Sequence, residues 1–149
     1  VRYDLCLGTQ PDKIKYRETL IQHHVSGRLK IAPEHSEEHV LKIMRKPSFK
    51  YVEQFYHEFT RINRTYHLNQ QLVPYLISAH PGCTLNDMKN LMIRLKKIKL
   101  RPEPVQDFTP TPMTLSSVMY YTGIDPYTGN KLYIAHSLSE KQKQKNQLY

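Results

Sequence analysis

Residues 72–88, LVPYLISAHPGCTLNDM, decide the fold class of this chain. The stretch begins as an apolar run typical of a buried strand, which ends at the letters HPG. A capping-box pattern, T-x-x-D at 84–87, then starts a helix that is predicted to continue to about Lys99. A strand that leads directly into a helix is the unit from which parallel α/β sheets are built.

The same alternation extends in both directions from this stretch. Further strands are predicted at 2–7, 29–32 and 105–108, and further helices at 12–25, 36–46 and from 48 onward. Each predicted strand is mostly apolar, which is typical of strands that are covered on both faces. Right-handed βαβ units at this spacing predict an α/β layer of about four parallel strands, as in an arc of a barrel.

Composition limits the possible classes of protein. The chain has 149 residues, about one domain, and a net charge of +9 that would attract phosphates or other polyanions. Its two cysteines, Cys6 and Cys83, have no metal spacing and exclude a disulfide framework. No signal peptide occurs, and no apolar run approaches the roughly 18 residues of a membrane span, so we predict a cytoplasmic protein. The start VRYDLCLG, without an initiator Met, indicates a piece of a longer polypeptide.

Ligands of parallel α/β sheets bind beyond the carboxyl ends of the strands, which directs attention to three loops. These loops cover 33–36, 78–84 and 107–114. Gly82 would let the backbone come close to a ligand, and the free N–H groups of the helix start at Thr84 favour a hydrogen-bond acceptor. The alternative is a tight strand-to-helix turn with an ordinary cap.

Other candidate sites are weaker. His35 and His39 are four residues apart, but a metal site needs at least three convergent ligands, so no metal is predicted. Glu34 beside His35 could form an acid/base pair, although exposed Glu-His neighbours are common. No Walker-type loop, GxSxG or HExxH motif occurs. Residue spacing therefore predicts a site without defining its chemistry.

Four segments carry a resemblance to a known family: RYDLCL, HHVSGRLKIAPEHSEEHVLKIMRKPS, LVPYLISAHPGCTLNDM and PVQDFTPTPMTLSSVMYYTG. They resemble the YgiQ-type radical SAM proteins, an uncharacterised family, from about Arg2 to Tyr133. The resemblance implies part of a partial, TIM-like (β/α)6 barrel. It also implies a parent enzyme that cleaves S-adenosylmethionine at a 4Fe–4S cluster.

The chain departs from that superfamily in one respect. The cluster is held by a CxxxCxxC motif, which is absent, and two isolated cysteines cannot replace it. The resemblance therefore implies that residues 1–121 form the C-terminal half of the barrel. Residues 122–149 would form a turn-rich extension that ends in a frayed or disordered polar tail. Neither cofactor is expected to be held by this chain alone, and its main partner would be the missing N-terminal part of the same polypeptide.

The resemblance also implies roles for individual residues. APEHSEEHVLKIMRK resembles PVQSGSxxVLKxMxR, which assigns Glu34 to the ribose and Lys46 to the carboxylate of the cofactor. The loop after the third predicted strand resembles GxPGxTxED, with Ala79 in place of the first Gly, and carries the other candidates for cofactor binding: Ile77 against adenine, Ser78, His80, Gly82 and Thr84. Candidates for substrate contact follow the last strand: Asp107, Thr109 and Thr111.

The leading hypothesis is therefore a fragment of a radical SAM enzyme of unknown substrate, inactive when isolated. The alternative is a basic RNA-binding module without catalytic activity, which the charge of +9 and the tyrosines and lysines near loop ends would favour.

Overall fold

The computed structural model describes residues 1–103 and 105–149, which fold around a three-stranded, all-parallel sheet in the order β1-β2-β3. The strands are β1 (Arg28–Glu34), β2 (Gln71–Ser78) and β3 (Val105–Asp107). The helices are α1 (Pro11–His23), α2 (Glu38–Met44), α3 (Lys50–Thr65), α4 (Leu85–Lys97), α5 (Leu115–Thr122) and α6 (Leu138–Lys145), followed by a 3₁₀ turn at Asn146–Leu148. The predicted α/β fold with parallel strands is confirmed.

Helices cover one face of the sheet. Alternate residues of β1 and β2, such as Leu29, Ile31 and Leu76, are buried in a cluster with apolar side chains of α3 and α4. Each fully buried side chain of this kind stabilises the fold by about 1.5–3 kcal/mol. Tyr75, by contrast, is 41% exposed and Ile77 is half-buried. The sequence predicts burial on both faces because these outward positions are themselves apolar, but the outward face stays partly open at Tyr75 and Ile77.

The prediction of a first strand at Arg2–Leu7 is wrong. This segment forms turns, in which the backbone N–H of Leu5 donates to the carbonyl oxygen of Arg2 at 3.1 Å. Tyr3 and Cys6 are buried, and the Tyr3 ring lies 6.4 Å from that of Phe55. An apolar run needs a neighbouring strand to extend into a sheet, and none accompanies this segment in the described part of the chain. The sheet therefore has three strands instead of four.

A buried arginine in α1 holds this N-terminal segment against the helices. Arg17 is 5% exposed, and it donates hydrogen bonds to the carbonyl oxygen of Cys6 at 2.9 Å and to Glu58 Oε2 at 2.8 Å. The neighbouring Arg61 guanidinium, assisted by Arg17, holds the pKa of Glu58 below its usual value. One face of α1 thus carries a cation where sequence periodicity predicts only apolar contacts.

The C-terminal segment is a packed helix. Ser137 and Glu140 form a capping box that starts α6, and Gln144 and Leu148 are each 1% exposed. Composition predicts fraying or disorder after Ser139, whereas a helix forms here because one amide and one leucine are anchored in the body of the protein. No helix within residues 1–103 and 105–149 has the length and apolarity needed to cross a membrane.

Candidate functional site

A cavity of about 310 Å³ lies at the carboxyl ends of the three strands. It is open on one side, and Tyr75 and Phe108 contribute apolar walls. Six of the ten predicted site residues line it: Glu34, Ile77, His80, Asp107, Thr109 and Thr111. The structure therefore brings together residues from the ends of all three strands, as expected for a parallel sheet.

The backbone at the ends of β1 and β2 is unusual. Glu34 and Ala79 both adopt the left-handed region, with φ of 65° and 57°. The pairing of β1 with β2 also shifts register between Ile31 and Glu34, as in a β-bulge. Bulges and left-handed non-glycine residues cost energy and occur often beside functional sites. The related motif GxPGxTxED has a glycine where this chain has Ala79. That glycine was the only sequence signal of this backbone geometry.

Glu34 and Lys46 form an ion pair at the edge of the cavity. Lys46 Nζ lies 2.7 Å from Glu34 Oε1, and both side chains are partly exposed. An ion pair of this exposure contributes at most about 1 kcal/mol to stability. The pair places a carboxylate and a cation side by side. The two residues that the PVQSGSxxVLKxMxR motif assigns to one ligand therefore lie together.

Asp107 connects the ends of β2 and β3. The Ser78 hydroxyl donates to Asp107 Oδ1 at 2.7 Å, and Lys145 Nζ lies 3.7 Å from Asp107 Oδ2. Ser78 is fully buried and supports the cavity wall from behind, without lining it. Thr109 and Thr111 follow in a loop whose hydroxyls donate to backbone carbonyls.

His80 presents a neutral ring to the cavity. Its Nδ1 lies 2.9 Å from the Pro81 carbonyl oxygen, which can only accept, so Nδ1 carries the proton and Nε2 accepts from the Ser116 hydroxyl at 2.9 Å. The ring also packs edge-on against Phe108 at 5.1 Å. Burial lowers the pKa of His80 to about 4. Near neutral pH this histidine is therefore an uncharged hydrogen-bonding group.

The corner between β2 and α4 is filled by Gln144. Its side-chain oxygen accepts from the Ala79 backbone N–H at 2.9 Å, and its amide nitrogen donates to the Cys83 carbonyl oxygen at 2.8 Å. Nothing in the polar sequence around Gln144 distinguishes it from the neighbouring glutamines. The amide satisfies two buried backbone groups of the loop that sequence reasoning assigned to a ligand.

Gly82 and Thr84 do not line the cavity. The Gly82 N–H donates to the Tyr133 carbonyl oxygen at 2.8 Å, and a Cβ added to Gly82 would lie 2.5 Å from Ile43 Cδ1. The close approach at Gly82 is thus to α2. Thr84 caps α4 in the predicted capping box with Asp87, which is confirmed.

Replacing Gly82 by alanine should lower the free energy of unfolding by about 2–3 kcal/mol, because φ is +83° and the new methyl group meets Ile43. Gly129→Ala is the matched control, since φ there is +72° with nothing within 4 Å, and it should cost about 1 kcal/mol. Urea denaturation measures both variants. Equal losses would contradict the contact with α2.

The two cysteines do not fit an iron–sulfur cluster. Cys83 is fully buried, with Sγ 3.4 Å from both His35 Nε2 and Gln144 Oε1, and Cys6 is buried near the N-terminus. Burial raises the pKa of both thiols, which opposes formation of the thiolates that bind iron. No cluster chemistry is therefore assigned to the residues of this chain.

His35 and His39 do not converge. His35 Nδ1 accepts from the Glu37 backbone N–H at 3.1 Å, and its side chain is buried beside Cys83. His39 instead lies 3.3 Å from Asp87 Oδ2, and with Glu37 these residues form one group of metal-compatible spacing in the described part of the chain. Asp87 is already engaged in capping α4, which explains its position without an ion.

Comparison with known proteins finds similar sequences in several organisms. No family model matches. A protein from Porphyromonas gingivalis is 52% identical over 150 residues, one from Bacteroides thetaiotaomicron 49% over 151, and one from Methanosarcina acetivorans 48% over 145. These relatives are UPF0313 proteins.

The similarity covers 97% of this chain, so nearly all of the sheet and its loops lie within the matched stretch. The chain spans only 24%, 24% and 19% of the three UPF0313 relatives, respectively. It therefore corresponds to about a quarter or less of a longer protein of this kind.

Proposed function

We propose that the chain forms one wall of the S-adenosylmethionine and substrate pocket of a radical SAM enzyme. Its cluster-binding half would lie elsewhere in a longer polypeptide. The observation that carries the proposal is the cavity at the carboxyl ends of β1, β2 and β3, in which Glu34, Ile77 and Asp107 meet. The resemblance to the YgiQ-type radical SAM proteins supplies the identity of the ligand.

The chemistry of the cavity fits the proposed cofactor. The half-buried Ile77 offers an apolar shelf for adenine. The Glu34 carboxylate lines the cavity and suits ribose hydroxyls. The Lys46 ammonium suits the carboxylate of the methionyl group. Ile77, Glu34 and Lys46 would thus bind and orient the cofactor.

Other residues would shape the substrate side. Asp107 is held by Ser78 and Lys145, so its carboxylate has a defined position beside the cavity. His80 is neutral and both of its ring nitrogens are engaged, by Pro81 and by Ser116, so it would shape the wall of the cavity without exchanging a proton near neutral pH. The apolar rings of Tyr75 and Phe108 would help to exclude water. When bound, the cluster would supply the electron that cleaves S-adenosylmethionine.

The test begins with the reading frame upstream of Val1, where a CxxxCxxC motif is expected. The full polypeptide, reconstituted with iron and sulfide without oxygen, should absorb as a 4Fe–4S protein and release 5′-deoxyadenosine from S-adenosylmethionine after reduction. The 149-residue chain, treated identically, should do neither. Absence of the motif, or a cluster retained by the short chain, would overturn the proposal.

A substitution in the full polypeptide tests the cavity itself. Ile77→Asp should raise the KM for S-adenosylmethionine at least about tenfold while the cluster absorbance is retained, because a carboxylate replaces the apolar shelf. Ile93→Asp is the matched control, since Ile93 is 65% exposed on α4. Equal effects of the two substitutions would argue against a nucleoside at this cavity.

A further inference from the structure

Two joined cavities lie at the opposite end of the sheet from the cavity described above. One has a volume of about 580 Å³ and includes the start of β2 at Gln71, and the other, of about 610 Å³, lies between the C-terminal ends of α3 and α4. Tyr56, Thr60 and Lys99 line both cavities. We call this continuous surface the basic groove.

The charges of the basic groove are almost all positive. Arg61, Arg64, Lys97 and Lys99 line the second cavity, and no aspartate or glutamate does so. Of these cations, Arg61 is paired with Glu18 and Glu58. Arg101 extends the positive surface into the first cavity, where the one carboxylate, Glu103, is paired with Arg28. Within residues 1–103 and 105–149, no carboxylate lies within ion-pair distance of Arg64, Lys97, Lys99 or Arg101.

Helix dipoles explain only part of this arrangement. Lys97 is in the last turn of α4 and Arg64 in that of α3, where a cation is favourable by about 0.3–1 kcal/mol. The interaction with the helix dipoles does not require α3 and α4 to end at the same cavity. Because they do, their cations lie close together and repel one another. Bound anions would remove this repulsion, and the concave shape would concentrate the positive potential.

We propose that the basic groove binds single-stranded nucleic acid through its phosphates. Two joined cavities suit a chain of phosphates better than a single small anion. The rings of Tyr56 and His57, which lie 6.4 Å apart, stand among the cations, and such rings can stack on bases. A flat membrane surface would not fit a concave groove.

This inference does not rest on the proposed function. Gln71 and Ile77 are six residues apart in β2, so the groove and the cofactor cavity are separated by about 20 Å along the strand. The two sites share no lining residue. Loss of nucleic-acid binding would leave the cofactor experiments unaffected, and the converse also holds.

Fluorescence anisotropy with labelled single-stranded RNA and DNA oligonucleotides tests the inference on the 149-residue chain. Affinity should fall steeply with salt, and a slope of log K against log salt of about −2 to −3 is expected for three to four phosphate contacts. The two oligonucleotides distinguish RNA from DNA as the ligand. Binding of neither would overturn the inference.

A matched pair of double variants locates the site. Arg64→Gln with Lys97→Gln should weaken binding at least about tenfold and reduce the salt slope by about 1–2. Lys15→Gln with Lys143→Gln removes the same charge from exposed positions outside the groove and should change affinity less than about twofold. Equal losses in both pairs would show that total charge alone attracts the strand and would overturn the inference.

Discussion

Replacing Gln144 by alanine is expected to lower the free energy of unfolding by about 3 kcal/mol. The substitution leaves the Ala79 N–H and the Cys83 carbonyl without a partner, and both lie in a buried corner. An unsatisfied buried group of this kind costs about 1–3 kcal/mol. Urea denaturation followed by circular dichroism measures the loss.

Gln142→Ala is the matched control for this prediction. Gln142 is exposed on the same helix, and its amide donates only to the Asn146 side chain at 2.6 Å. Its loss should change stability by less than about 0.5 kcal/mol. Similar behaviour of the two variants would mean that α6 does not hold the loop after β2, and this account of the corner would then be wrong.

Mild acid is expected to destabilise the protein because two histidines are buried in the neutral form. Burial lowers the pKa of both His35 and His80 from 6.5 to about 4. Unfolding frees both rings to bind protons once the pH falls below about 6.5. Each histidine should then remove about 1 kcal/mol of stability per pH unit between pH 6.5 and about 4.5.

The direction follows from proton binding. About one pH unit above 6.5, neither state binds a proton at these rings, so their contribution to stability is fully present there and declines as the pH falls toward about 4. Carboxylates with lowered pKa values, such as Asp4 beside Arg2 and Glu58 beside Arg61, lose most of their contribution at still lower pH. Between pH 6.5 and pH 4.5 the histidines therefore account for most of the loss.

The variant His80→Gln should remove about half of this acid sensitivity, measured as the change in the free energy of unfolding between about pH 6.5 and pH 4.5. His23→Gln, an exposed histidine at the end of α1, should retain all of it. A flat pH profile of the wild-type chain would contradict the burial of both rings.

Local sequence patterns predict much of the architecture. The alternation of apolar runs with amphipathic helices, the start of α4 at Thr84 and the location of a cavity beyond the strand ends follow from short-range rules. The motif assigned Glu34 and Lys46 to one ligand, and in the structure the two residues, which flank one short helix, form an ion pair. These features depend on residues close together in the chain.

Long-range packing accounts for what the sequence does not predict. The run at Arg2–Leu7 has the composition of a strand, but it folds into turns held by Arg17. The site prediction placed Gly82 against a ligand, whereas its neighbour in the structure is Ile43 and its φ of +83° favours a glycine. No local pattern signals either contact, because the partner lies far along the chain.

The sequence by itself determined a parallel α/β layer, its helix starts and the edge of the sheet where polar loops gather, because propensity, capping and periodicity act within a few residues. Only the tertiary structure decided that a glutamine 65 residues away fills the turn after β2, and that the cations of α3 and α4 share one groove. Burial and charge repulsion depend on which surfaces meet in space. Local sequence composition does not specify which distant segments of the chain pack together.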